Sequence, residues 1–166
     1  MPSAPQSQLF GLICNPVAHS LSPFIMNRAF DTLGLDAIYV AFGIPPQRFV
    51  PSMAGLTALG VSGLNVTYPY KEEVLYHLDA VSAEVEVINA VNTVVFYEDE
   101  IQGYNTDAAG TALAIEHFSD IPLEGVRAFV FGMGAGARAA AYGMLERGAE
   151  RVVFATRSPE KAPMVM

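Results

Sequence analysis

Two kinds of pattern in this 166-residue chain could do chemistry. The first is a set of four polar clusters set among apolar runs: Asn15-Pro16-Val17-Ala18-His19-Ser20-Leu21-Ser22-Pro23, Asn65-Val66-Thr67-Tyr68-Pro69-Tyr70-Lys71, Asn92-Thr93 and Tyr104-Asn105-Thr106-Asp107. Hydroxyls at Ser20 and Ser22, beside a helix start, suit a carboxylate. Asn65 and Thr67 share one face of a strand because alternate residues do, and the proline turn after them presents Lys71. An Asn92 amide inside an apolar run needs partners, so it is either a structural hub or a ligand contact. A lysine beside an aspartate has its pKa adjusted by it, and could pass a proton to a carbonyl oxygen whose carbon receives hydride. Spacing alone does not bring Lys71 and Asp107 together. Each residue also has a plainer role open to it: helix cap for Ser22, loop support for His19, solvated surface for Lys71.

The second pattern is Gly132-Met133-Gly134-Ala135-Gly136-Ala137, which fits G-x-G-x-x-A. It follows the strand-like Ala128-Phe129-Val130-Phe131 and opens a helix-like, alanine-rich run. In that setting Gly132 permits a tight turn, Gly134 lets a pyrophosphate approach the backbone, and Ala137 lets helix and strand pack. The first helical turn offers N–H groups to the phosphates. The next strand ends in Thr156-Arg157-Ser158, without the acidic residue that usually bonds a ribose 2′-hydroxyl. A guanidinium at Arg157, flanked by two hydroxyls, suits a 2′-phosphate, which favours NADP over NAD. Glycines kept for packing, and an arginine in solvent, are the alternatives.

These residues need elements to hold them. Strands are expected at 8–14, 37–43, 62–67, 90–97 and 100–104, the last two forming a hairpin through Glu98-Asp99. Helices are expected from Ser22-Pro23 to Gly34 and from Pro45-Pro46 to near Gly60. Short helical stretches should reach Leu78 and run from Ser82 to Ile88. A further helix over 107–118 would be capped by Asp107. Pro122 to Gly125 reads as a linker, and 127–158 as strand, glycine turn, helix and strand. The alternation predicts an α/β fold: a mostly parallel twisted sheet in a first domain over 1–122, then a partial Rossmann-like βαβ unit over 123–166.

Composition narrows the classes. With 52% hydrophobic and 16% charged residues the chain can bury a core. The net charge of -8 and scattered basic residues argue against nucleic acid. No apolar run reaches the ~18 residues that cross a membrane. The N-terminus lacks a signal-peptide plan. The single cysteine, Cys14, excludes an intrachain disulfide and reads as a core thiol, in keeping with a reducing, cytoplasmic setting. One Cys and three His at unrelated spacings give no readable metal site.

Taken in order, NPVAHSLSP, NVTYPYK, NAVNT, GYNTD, GMGAGARA and ATRS resemble the shikimate dehydrogenase family from Leu9 to Lys161. The resemblance implies NADPH-dependent reduction of 3-dehydroshikimate to shikimate, a step of the shikimate pathway toward aromatic amino acids. It makes Lys71 and Asp107 the catalytic pair, and Ser20 and Ser22 the partners of the substrate carboxylate. Thr67, Asn92 and Asp107 then bind ring hydroxyls, with Asn65 nearby. Gly132, Met133, Gly134, Ala135, Gly136 and Ala137 form the cofactor loop, and Thr156, Arg157 and Ser158 the 2′-phosphate end. Tyr70, Asn89, Met133 and Thr156 depart from the family's usual residues, and glycine is usual at 89. Family members run on for roughly another hundred residues (order of one more half-domain), so the chain is expected to be an incomplete form with an under-supported second sheet. The alternatives are a quinate/shikimate paralogue, or a non-catalytic module that binds such acids. A small-molecule substrate is the expected partner, with a homodimer as the assembly to check.

Overall fold

β1 (Gln8–Cys14) is the middle of three parallel strands, with β2 (Ala37–Gly43) on one side and β3 (Gly63–Val66) on the other. Apolar side chains on both faces suit a strand covered on both sides, and Leu12, Ile13 and Cys14 are all buried. The structure, a computed structural model, describes residues 7–17 and 20–157. α1 (Ser22–Leu33) ends at Gly34, whose left-handed backbone (φ 66°) closes the helix. It is pinned to β2 by Asn27, whose amide donates to the carbonyls of Pro23 and Tyr39 and accepts from the Tyr39 N–H. Phe30 from α1 joins Leu12, Cys14 and Tyr39 in one core cluster. α2 (Phe49–Ala58) buries Phe49, Met53 and Leu56. The helix expected from Pro45 starts as a 3-10 turn over Pro46–Arg48 and becomes α only at Phe49.

The chain then forms β4 (Ala80–Val81), α3 (Ala83–Ile88), β5 (Thr93–Phe96) and β6 (Ile101–Tyr104). Strand order in the six-stranded sheet is β2-β1-β3-β5-β6-β4, with β5 antiparallel to β3 and Thr93 opposite Asn65. β4 has no signal in the sequence, because two residues are too short to carry a period. The expected strand over 90–97 begins only at Thr93. Its first residues are drawn instead into side-chain capping bonds, described below.

α4 (Thr106–Ser119), β7 (Arg127–Phe131), α5 (Ala135–Glu146) and β8 (Arg151–Ala155) follow, and β7 and β8 pair in parallel with Phe129 opposite Val153. The α/β class and the strand–turn–helix–strand unit are as expected. The contacts resolve into two compact units, Met1–Ala80 with Thr93–Gly103, and Val81–Asn92 with Tyr104–Met166. They interleave along the chain, unlike the linear division into 1–122 and 123–166. The reason is α4, which lies so close on α5 that a Cβ at Gly143 would sit 2.1 Å from the Ala108 carbonyl oxygen. Among the described residues of the second unit, two small clusters are buried. Ile88, Ala90, Ala108 and Ala139 form one, and Ala112, Leu123, Met144 and Ala149 the other.

Candidate functional site

In the first unit the candidate residues gather where β1 and β3 end. Backbone bonds lock those ends together: Thr67 N–H to the Ile13 carbonyl at 3.1 Å, Asn15 N–H to that of Tyr68 at 3.2 Å, and Ile44 N–H to that of Cys14 at 3.1 Å. Ligands of open α/β sheets collect at this carboxyl edge. Ser20 is exposed and Ser22 half-buried. The Ser20 hydroxyl accepts the Ser22 N–H at 3.2 Å. Ser22 itself is the first helical residue rather than the cap, which falls on Leu21 and makes no side-chain bond. His19 lies outside the described residues.

Two buried tyrosines hold the middle cluster. The Tyr39 hydroxyl donates to Asn65 Oδ1 at 2.7 Å, and Asn65 Nδ2 donates to Thr93 Oγ1 at 3.3 Å. Burial, helped by the nearby Cys14 thiol, pushes the Tyr39 phenol up to about 12, so it stays a donor. Tyr70 is wholly buried, stacks on Phe49 with ring centroids 4.4 Å apart, and donates to the Ile44 carbonyl. The Thr67 carbonyl accepts the Tyr70 N–H at 2.9 Å, which closes the turn that leads into half-buried Lys71. Cys14 is buried and burial raises its thiol pKa, as befits a core thiol.

In the second unit Asn92 is a buried hub. Its Nδ2 donates to Asp107 Oδ1 at 2.8 Å and to Thr106 Oγ1 at 2.9 Å, and its Oδ1 accepts the Thr106 N–H at 2.9 Å. The expected cap at Asp107 is supplied by Asn105, whose side chain accepts the Asp107 N–H at 3.1 Å and donates to the Ala90 carbonyl at 2.8 Å. The reason is position: Asp107 already lies in the first helical turn, whereas Asn105 has the extended backbone a cap requires. Asp107 lines an open depression of about 540 Å³ along α4, with Thr106, Gly110 and Thr111. On the other side of α4 a groove of about 500 Å³ is lined by Glu84, Asn105, Tyr142, Glu146 and Arg147. Burial alone would raise the Glu84 carboxyl. Hydrogen bonds from the Ser82 hydroxyl and from the backbone N–H groups of Glu84 and Asn105 outweigh it and hold the pKa below its ordinary value.

The glycine turn distinguishes its two explanations. Gly132 has φ 96°, which favours glycine, and its N–H donates to the Ala155 carbonyl at 2.7 Å. A Cβ at Gly134 or Gly136 would meet no atom within 4 Å, so internal packing does not demand glycine there. Open space over a helix start fits a group that must approach the backbone closely. The first bond of α5 runs from the Arg138 N–H to the Gly134 carbonyl. The N–H groups of Ala135, Gly136 and Ala137 precede it and have no acceptor within the helix. Met133 and Ala137 are half-buried, and Ala135 packs against the Ile88 cluster. Tight helix packing rests more on Ala139, which is wholly buried. At the end of β8, Thr156 is half-buried and Arg157 exposed; Ser158 lies outside the described residues. These donors suit a phosphorylated dinucleotide. Among the described residues no group of three or more His, Cys, Asp or Glu could hold a metal ion.

Ser20, Ser22, Asn65, Thr67 and Lys71 thus belong to the first unit, and Asn92, Asp107 and the glycine turn to the second. Sequence reasoning missed Tyr39, Asn105 and Arg138 as supports. Arg138, alone among alanines at the start of a helix, was the most visible of them. Asn89, where family members usually have glycine, adopts φ 54° at the end of α3 and keeps the left-handed turn.

The shikimate dehydrogenase substrate binding domain model matches residues 12–94. A shikimate dehydrogenase (NADP(+)) of Methanothermobacter thermautotrophicus is 41% identical over 160 residues, which are 96% of this chain and 56% of that protein. The crystal structure of shikimate dehydrogenase from Aquifex aeolicus superposes with a TM-score of 0.90 at 38% identity, over 98% of this chain and 60% of that one. Shikimate 5-dehydrogenase from Thermus thermophilus, in complex with NADP(H) and shikimate, gives 0.83 at 37% identity, over 95% and 59%. The chain spans about half the length of the curated relatives it matches.

Proposed function

The chain belongs to the shikimate dehydrogenase family, and on that premise we propose that it carries the substrate-binding part and the first dinucleotide-binding part of an enzyme that reduces 3-dehydroshikimate to shikimate. By role, residues 1–122 serve the substrate and 123–166 the dinucleotide, a division of labour that differs from the interleaved compact units. NADPH, when bound, supplies the hydride that the ketone carbon accepts. Lys71 gives its ammonium proton to the ketone oxygen as the carbon–oxygen π bond breaks, so that ketone, hydride and proton become an alcohol. Asp107 serves as the carboxylate partner of Lys71 and of a ring hydroxyl. Ser20 and Ser22 hold the substrate carboxylate, and Asn65, Thr67 and Asn92 orient the ring. Gly132 to Ala137 receive the pyrophosphate, and Thr156, Arg157 and Ser158 the 2′-phosphate. A cytoplasmic reaction is part of this reading, and a homodimer is the assembly that light scattering on the purified chain would check.

The observation that carries this reading is the bond from Asn92 to Asp107. A buried amide spent on fixing a half-exposed carboxylate is a costly arrangement for a surface helix, and a natural one for a carboxylate that must keep its place. Calorimetric titration with shikimate, then with NADP+, tests it on the parent chain, Lys71→Ala and Asp107→Asn. Shikimate should bind the parent and lose about tenfold in affinity or more in either variant, the scale of one charged hydrogen bond. A folded parent chain that ignores shikimate, or variants that bind it unchanged, would overturn the substrate assignment.

A further inference from the structure

Arg138 is a charged residue with only 8% of its surface exposed, and its guanidinium bonds three backbone carbonyls. Nε donates to the Ile88 carbonyl at 2.7 Å, Nη2 to that of Asn89 at 3.1 Å and Nη1 to that of Met133 at 3.1 Å. The first two acceptors close the C-terminus of α3, where helical carbonyls have no N–H of their own and a positive charge is favourable. α3 has no basic residue in its own last turn. The third acceptor lies in the glycine turn.

The Met133 bond has a geometric consequence. The peptide between Met133 and Gly134 is trans, since the cis bonds among the described residues are at Asn15-Pro16 and Tyr68-Pro69. In a planar trans peptide the carbonyl and the N–H point in opposite directions. Drawing the Met133 oxygen onto the guanidinium therefore turns the Gly134 N–H away from Arg138, on a residue whose surroundings are open. On its other side Arg138 fixes Ile88 and Asn89. Ala90 and Val91 follow, both wholly buried, and then Asn92, which holds Asp107.

We propose that Arg138 is a positioning residue that sets the Met133–Gly134 peptide to present its N–H to a dinucleotide pyrophosphate, and that braces the same turn against the segment carrying Asn92. It touches no phosphate itself. The proposal rests on the dinucleotide reading above and deepens it. A single side chain thereby bonds both the glycine turn and the stretch leading to Asn92.

The test compares the parent chain with Arg138→Lys and Arg138→Met, using thermal melting, NADP+ and shikimate titrations, and the amide NMR shift of Gly134. Lysine keeps the charge at the end of α3 but is a point charge that cannot fork across three carbonyls. Arg138→Lys should recover most of the melting temperature that Arg138→Met loses. Its NADP+ affinity should still fall by about tenfold, as expected for a lost charged hydrogen bond, with a moved Gly134 amide and a smaller loss for shikimate. A purely structural arginine gives the other pattern, in which affinity returns with stability. Folded Arg138→Lys that binds NADP+ within about twofold of the parent, below the RT ln 2 scale of any such bond, overturns the positioning role and leaves the dinucleotide reading standing. A folded parent chain that binds no NADP+ overturns both.

Discussion

The two units support their candidate residues by opposite means. Behind the strand ends of β1 and β3 stand large polar aromatics: Tyr39 reaches Asn65, and Tyr70, one residue before Lys71, stacks on Phe49. Behind Asn92, Asp107 and the glycine turn stand small residues, Ala90, Ala108, Ala139 and Gly143, with Arg138 tying the backbone. Behind these particular residues the first unit uses volume and the second close approach. A well-packed interior resists both losing and gaining atoms, so cutting back Tyr70 tests the first support and adding a methyl at Gly143 tests the second.

The largest effect should come from Tyr70→Ala. It removes a wholly buried ring stacked on Phe49, together with the donor for the Ile44 carbonyl. Truncating a buried aromatic costs about 4 kcal/mol, read as a shift in urea midpoint. Tyr70→Phe keeps the ring and should lose only about 1 kcal/mol with the hydrogen bond. Next comes Gly143→Ala. One added methyl would lie 2.1 Å from the Ala108 carbonyl oxygen, which is helix backbone and cannot swing aside. Overpacking of this kind costs about 3 kcal/mol. If Gly143→Ala melts with the parent chain, α4 and α5 are not held by close approach and the contrast fails on that side.

A smaller effect separates charge from packing. Glu84 has its pKa held below the ordinary carboxylate value in the folded chain. A depressed pKa adds stability that is present above the unfolded value and lost as pH falls through the folded one. Glu84→Gln should therefore be less stable than the parent at neutral pH, by about 1 kcal/mol at most because the group is only partly buried. The gap should close as pH drops below the usual carboxylate range, and denaturation at neutral pH and at a pH below that range reads it. A constant gap would mean that Glu84 acts through hydrogen bonds that do not depend on its charge.

What the sequence disclosed follows the same division. Elements with a clear period and clear stops were legible, such as α1 ending at Gly34 and the βαβ unit around the glycine turn. Short polar motifs were legible too, because Asn65, Lys71, Asn92 and Asp107 stand out among apolar neighbours. Their supports were not. A buried tyrosine and a surface one have the same letter, and the partner of Tyr39 lies 26 residues away. The roles of Asn105 and Asp107 at the start of α4 depended on a two-residue difference in backbone position that propensity does not resolve. The interleaved units were invisible for a similar reason: the contact of Gly143 with Ala108 joins positions that no local pattern connects.

The smallest stability effect, and the sharpest contrast with Gly143, belongs to Gly134→Ala. Gly134 has φ -73° and ψ 177°, a conformation any residue adopts, and an added Cβ meets no atom within 4 Å. Stability should stay within about 0.5 kcal/mol of the parent, and a slight gain would reflect the stiffer unfolded chain. NADP+ affinity, in contrast, should fall, because the methyl would occupy the approach that a pyrophosphate needs. On the proposed reading the two glycines then differ in what the space beside them is for: at Gly143 it holds the chain's own helix, and at Gly134 it is open to a ligand. A Gly134→Ala chain that unfolds as readily as Gly143→Ala would make the turn another packing contact. Unchanged stability with unchanged NADP+ affinity would leave the open space at the turn without a role in binding.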